Sequence, residues 1–151
     1  MRPDRFRYPA RLTYASETAA DDKGSVVTFR DLPEAITQGE DVQDALAMAA
    51  DGLEEAVWMR IKLGEPIPAP SDPEPGEHLV SLSAAMSAKA LLACAIRDAG
   101  IDRPQLATRL GWPEDRLRRM LHPDTPVDLP EFERVLAVLG KRLALDLNDA
   151  A

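Results

Sequence analysis

Two hydrophobic periodicities divide the chain. Near the N-terminus apolar and polar residues alternate, as on a strand with one buried face. In FRYPARLTYA (Phe6–Ala15), Phe6, Tyr8, Leu12 and Tyr14 fall on one side. SETAADDKG is polar and ends in glycine, a turn signal. SVVTFRDL (Ser25–Leu32) is β-branched and aromatic and predicts a second strand, paired with the first as a hairpin. EAITQG (Glu34–Gly39) is a third short strand candidate. The period then lengthens. Val42, Ala45, Leu46, Ala49, Leu53, Ala56, Val57 and Ile61 recur at steps of three and four, which puts one apolar stripe on a helix. Asp41 can open that helix by accepting its free amide hydrogens, and Gly64 followed by Pro66 closes it. An amphipathic helix lying on a small antiparallel sheet buries a modest core.

GEPIPAPSDPEPG (Gly64–Gly76) holds five of the 13 prolines and predicts a stiff, extended connection. HLVSLS (His78–Ser83) alternates again and is expected to rejoin the sheet. The boundary is placed after it, giving domains 1–83 and 84–151. The second half reads as helical. Met86–Ala99 has an apolar face read at Ala90, Leu91, Cys94, Ala95 and Ala99, stopped by Gly100. Asp102 caps a short helix that tolerates Pro104 in its first turn and ends at Gly111. Pro113 starts another, through about Leu121, and Leu129–Leu139 forms the last, ending at Gly140. KRLALDL (Lys141–Leu147) alternates, as a terminal strand does. The expected class is α+β: a small antiparallel sheet plus one helix, then an all-α domain.

Charge sharpens this division. The net charge of −8 is not spread evenly. Residues 1–83 hold eight Lys and Arg against sixteen Asp and Glu, whereas residues 84–151 hold ten of each. Arg103–Arg119 has five arginines against Glu114 and Asp115, a local net of +3. Two halves of different sign point to different partners. No apolar run is long enough to span a bilayer, and the basic start MRPDRFRYPA lacks the apolar core of a secretory signal, so a cytoplasmic protein is expected. Cys94 is the single cysteine; among Leu91, Leu92, Ala95 and Ile96 it reads as a small buried hydrophobe.

The two short helices meeting at LGW are the informative feature. Leu106, Ala107 and Leu110 share one face of the first; Leu117, Met120 and Leu121 share one face of the second. Small Ala107 allows a close crossing and Gly111 a tight turn. This is the helix-turn-helix pattern, whose second helix enters the major groove of DNA. Arg116, Arg118 and Arg119 are candidate contacts, since arginine pairs bidentately with guanine and also holds phosphate. Glu114 and Asp115 are candidate base filters, and Gln105 is placed to touch a phosphate. The bland alternative is a helical packing unit with a solvated charged face. His78 and His122, one in each half, lack the partners of an acid–base or zinc site. Asp31, Asp41 and Asp51 stand among carboxylates that could bind magnesium for nuclease work, although sixteen acidic residues in 83 produce neighbours by chance. No catalytic residues, metal or cofactor are expected.

VVTFRDLPEAITQGEDVQDALAMAADGLEEAV (Val26–Val57) resembles the signature of HicB-type antitoxins: a strand, an Asp-Leu-Pro turn, an I-T-x-G strand and an Ala-rich helix. From SLSAAMSAKALLACAIRDAGIDRPQLATRLGW through FERVLAVLGKRLALDL the chain is similar to the Cro-repressor-like helix-turn-helix of one branch of that family. The resemblance implies an N-terminal partial ribonuclease H-like fold without a nuclease centre. It further implies a HicA-type toxin as partner, a small basic ribonuclease whose site the antitoxin covers, and operator DNA bound to repress the operon. An acidic half suits a basic partner by charge, and Asp21, Asp22, Asp31 and Glu34 are the expected toxin-contact residues. A homodimer or higher homo-oligomer is expected, because two recognition helices read two half-sites and the terminal strand can pair with its twin. Two departures stand out: Arg30 replaces the usual proline of the turn, and Glu34 its glycine. Pro113 also occupies the start of the recognition helix where serine is common. Two other readings remain at this point: a stand-alone transcription regulator with an acidic sensor domain, and a divergent ribonuclease H-like metal-dependent nuclease.

Overall fold

The structure is a computed structural model and describes residues 4–14 and 24–149. The chain divides into two compact units, Met1–Met59 with Pro68–Ser83 and Arg60–Ile67 with Ala84–Ala151.

The first unit is a four-stranded antiparallel sheet carrying one long helix. The strands are β1 (Arg7–Tyr14), β2 (Ser25–Phe29), β3 (Ile36–Gly39) and β4 (His78–Ser81), in the order β3-β2-β1-β4. Ala10 faces Phe29 and Leu12 faces Val27 in the hairpin, while Tyr8 faces Val80 across the other edge of β1. The expected return of the His78 segment to the sheet therefore holds. Tyr8, Ala10, Val27, Phe29 and Val80 all project to one face and are buried. They meet Ala45, Ala49, Leu53, Ala56 and Val57 of helix α1 (Val42–Leu63), also buried. The alternation of β1 holds only in part: Phe6 and Tyr8 are buried, but Leu12 is half-exposed and Tyr14 exposed.

Helix α1 starts as its sequence dictates. The Asp41 carboxylate accepts the Asp44 N–H at 2.8 Å, filling one of the free donors of the first turn. Gly39 just before it is set by close approach rather than by φ: a Cβ there would lie 2.2 Å from the Ala45 nitrogen. Only a residue without a side chain lets β3 run this tightly into α1.

The proline-rich connection is irregular and extended, and its second part is fastened to the first unit. Tyr8 donates its hydroxyl to the Pro68 carbonyl at 2.7 Å. The Ser71 N–H and hydroxyl both donate to Asp31, at 2.9 and 2.5 Å. Arg30 donates to the Glu77 carboxylate at 2.9 and 3.1 Å and to the Asp72 carbonyl. The arginine that departs from the resembled turn motif thus gains a specific role, tying residues 72–77 beside the β2–β3 turn. Arg11 approaches the same carboxylate at 3.7 Å. Glu77 titrates below the usual carboxylate range, chiefly through the Arg30 hydrogen bond and then the Glu74 N–H.

The second unit holds α2 (Ala84–Asp98), α3 (Arg103–Leu110), α4 (Glu114–Leu121) and α5 (Leu129–Val138). Its core includes Met86, Leu92, Ile96, Leu106, Leu110, Leu117, Leu121, Phe132 and Val135. The α2 face differs from the one read in the sequence. Met86, Lys89, Ala90, Leu92 and Ile96 are buried, while Leu91, Cys94 and Ala95 are only half-buried. Alanine fills six of the fifteen α2 positions, spread round the helix, so it carries little phase information, and the buried stripe contains a lysine that no hydrophobic count includes. Lys141–Leu147 has no regular secondary structure and no strand partner among the described residues; Leu145 and Leu147 are exposed.

Candidate nucleic-acid interface and acidic surface

Helices α3 and α4 form the helix-turn-helix. The Asp102 carboxylate accepts the Gln105 N–H at 2.8 Å and opens α3. Gly111 has φ +68°, a left-handed conformation suited to glycine, and its N–H returns to the last turn of α3. Leu106, Ala107, Leu110, Leu117, Met120 and Leu121 are buried, so both inward faces read from the sequence are the ones observed. Pro113 sits at the N-cap of α4 and makes no side-chain cap, which leaves first-turn N–H groups of α4 without the bond a serine supplies. Acidic Glu114 and Asp115 in that turn complement the helix dipole instead.

The candidate contact residues separate by environment. Arg116 lies 3.9 Å above the Trp112 ring and pairs with Glu131 of α5. A second guanidinium, Arg134, is 5.4 Å from the same ring. Trp112 is buried, so this arginine–tryptophan stack fixes the turn between α3 and α4 to α5. Arg118 and Arg119 are exposed and both pair with Asp115, Arg119 at 3.0 Å. Exposed pairs of this kind are weak and exchange readily for an anion. Glu114, Asp115 and Arg118, together with Arg103, line one open hollow of about 320 Å³. Gln105 is exposed on α3, outside that hollow. Arg103 is half-buried and donates to the Ile61 carbonyl at 2.5 Å; desolvation lowers its pKa.

One residue behind this surface escaped the sequence reading. Lys89 of α2 is 1% exposed, and its ammonium donates to the carbonyls of His122 at 2.5 Å, Thr125 at 2.7 Å and Pro123 at 3.3 Å. The lysine gathers the turn that leaves α4, whose last carbonyls have no helical partners. Its placement three residues after Met86 and one before Ala90 was the available signal.

In the first unit, the acidic residues singled out are dispersed. Asp31 is half-buried and holds Ser71, whereas Glu34 is exposed in the turn before β3. Asp21 and Asp22 lie outside the described residues. His78 and His122 are exposed, and His122 accepts the Asp124 N–H at 3.1 Å. Among the described residues no group of three or more His, Cys, Asp or Glu is placed to hold a metal ion. No helix among them is long and apolar enough to cross a membrane.

Residues 7–91 match the sequence profile of the HicB-like antitoxin of bacterial toxin–antitoxin systems. The chain belongs to the HicB-like antitoxin family. The likeness runs on through the helix-turn-helix. Antitoxin HicB of Escherichia coli K12 is 36% identical over 142 residues, which is 93% of this chain and 98% of that protein. Antitoxin HicB 2 of Photorhabdus laumondii is 32% identical over 140 residues, covering 93% and 95%. Antitoxin HicB of Pseudomonas fluorescens is 28% identical over 150 residues, covering 96% and 100%.

Proposed function

We propose that this antitoxin neutralises a HicA-type mRNA-cleaving toxin by masking its active site, and represses its own operon through the helix-turn-helix. The acidic half, residues 1–83, is the toxin-binding domain, and residues 84–151 are the DNA-binding domain. The observation that carries the reading is the likeness to HicB antitoxins across both units, 93% of the chain. Opposite local charges support it: −8 in the first half attracts a basic protein, and +3 around α3 and α4 tolerates phosphate. The role is binding, without catalysis or a cofactor, in the cytoplasm.

On DNA, α4 enters the major groove with Arg118 and Arg119 foremost, Glu114 and Asp115 beside them and Gln105 at the backbone. Arg116 contributes while remaining stacked on Trp112. One short helix makes few contacts, so two copies act together, with recognition helices about 34 Å apart on a palindromic site. The exposed Leu145 and Leu147 belong to a segment that pairs with its twin in the dimer. Two experiments test this with the full chain. Fluorescence anisotropy with DNA from upstream of its gene should show tight, salt-sensitive binding, and gel filtration with the adjacent gene's product should show a stable complex. Absence of both overturns the reading; magnesium-dependent RNA cleavage by this chain alone would replace it with a nuclease.

A further inference from the structure

The outward side of α1 has a pattern that folding does not require. Its inward side, Ala45, Ala49, Leu53, Ala56 and Val57, is buried. Opposite run Asp44, Met48, Asp51, Glu55 and Met59, all exposed and spaced three or four apart, so they form one continuous stripe. The stripe is roughly 22 Å long at 1.5 Å per residue. Met48 and Met59 are 42% and 43% exposed, large apolar side chains left in water at its middle and end.

The charges are equally unusual. From Val42 to Met59 the helix has four acidic residues, Asp44, Asp51, Glu54 and Glu55, and no Lys or Arg. A solvated helix face ordinarily balances such residues with cations one turn away. Here Asp51 and Glu55 are one turn apart with like charge, an arrangement that destabilises a helix. Neither has an ion-pair partner among the described residues. Both lie well past the first turn, where the helix dipole no longer favours anions. Asp44 differs: it accepts the Glu40 N–H at 2.8 Å, a local role at the helix start.

We propose that this stripe of α1 is the docking surface for a basic protein partner, with Met48 and Met59 as apolar anchors and Asp51 and Glu55 as the charges that select it. The inference rests on the reading of the first unit as the toxin-binding part and names the surface it uses. Charge complementarity decides the occupant. A second copy of this chain would bring the same acidic stripe and be repelled, and a nucleic acid backbone would be repelled likewise. Exposed methionines suit a protein surface, because their flexible side chains adapt to an apolar neighbour. Asp31 is then peripheral, being engaged with Ser71.

The test measures the affinity of the full chain for the product of the adjacent gene, with two stripe variants and one control. Asp51→Lys with Glu55→Lys turns attraction into repulsion and should weaken binding on the order of a hundredfold. Met48→Ala with Met59→Ala keeps the charge and the helix, and should weaken binding on the order of tenfold. The control, Glu133→Lys on the exposed side of α5 in the second unit, should stay within a few-fold of wild type. Binding to upstream DNA and the thermal midpoint should be unchanged in the stripe variants. If the charge variant misfolds, the alanine pair decides. Wild-type capture of the partner with undiminished binding by the foldable stripe variants overturns this surface and leaves the antitoxin reading standing. Loss of binding by Glu34→Lys, which probes the rival surface in the β2–β3 turn, with the stripe variants unaffected also overturns it. Failure of the wild-type chain to bind overturns the toxin-masking reading, and the surface with it.

Discussion

Lys89→Met should destabilise the helix-turn-helix unit while leaving its shape nearly intact. Methionine fills most of the lysine stem's volume, so the change removes the ammonium with little cavity. Three carbonyls, of His122, Pro123 and Thr125, lose the ammonium together, although the His122 carbonyl keeps the Thr125 N–H at 3.1 Å. Hydrogen bonds to a charged group are worth about 1.5–3 kcal/mol each. Relief from desolvating the ammonium offsets part of that sum. The turn is near the surface, so water can replace some of the loss. A net cost of about 3 kcal/mol follows. For a unit of roughly 75 residues, each kcal/mol moves the midpoint by about 4–8 °C, so the shift should be on the order of 10–20 °C. Trp112 reports on this unit, and Trp58→Phe in both proteins removes the other tryptophan signal. Thermal and denaturant unfolding followed by Trp112 fluorescence gives the difference. A change below about 0.5 kcal/mol would refute the reasoning, because the carbonyls would then be satisfied as well by water as by Lys89.

Further outcomes follow from other contacts. Gly39→Ala should destabilise the first unit by several kcal/mol, roughly the scale of overpacking against backbone, because the new Cβ meets the first turn of α1; urea unfolding followed by Trp58 fluorescence checks it. Asp102→Ala should cost about 1 kcal/mol through loss of the α3 cap, read by denaturant midpoint. The lowered pKa of Glu77 fixes a sign: its contribution is present above the ordinary value of 4.5 and is lost as pH falls through the lowered one. An NMR titration should therefore find its carboxyl more than half ionised at pH 4.5, and Arg30→Ala should move that titration upward. Arg118→Ala with Arg119→Ala should weaken DNA binding and flatten its salt dependence by about two phosphate contacts, measured by anisotropy at several salt concentrations.

How much of this was legible in the sequence depended on the kind of signal. Hairpin, long helix and helix-turn-helix followed from period, caps and glycines, because these are local rules: Asp41, Asp102 and Gly111 each act on neighbours within four residues. The face of α2 was not legible, since its alanines fit any phase and Lys89 is buried only because the α4–α5 turn presents carbonyls to it. Arg30 looked like a departure from a turn motif; its partner Glu77 lies 47 residues away. Arg116 looked equivalent to Arg118 and Arg119 until Trp112 and Glu131 were seen to engage it. The expected terminal strand has no partner among the described residues, and alternation alone says nothing of where a partner comes from. The acidic half was recognisable from charge, but counting charge could not distinguish Asp31, bound to Ser71, from Asp51 and Glu55, which have no ion-pair partner among the described residues.

Growth rescue on co-expression with the adjacent gene tests the central claim most directly. Cells expressing that gene alone should stop growing, and this chain should restore growth. The Arg118→Ala, Arg119→Ala form should restore it equally well when expressed from an independent promoter. No toxicity, or no rescue by a stably folded chain, would contradict the account.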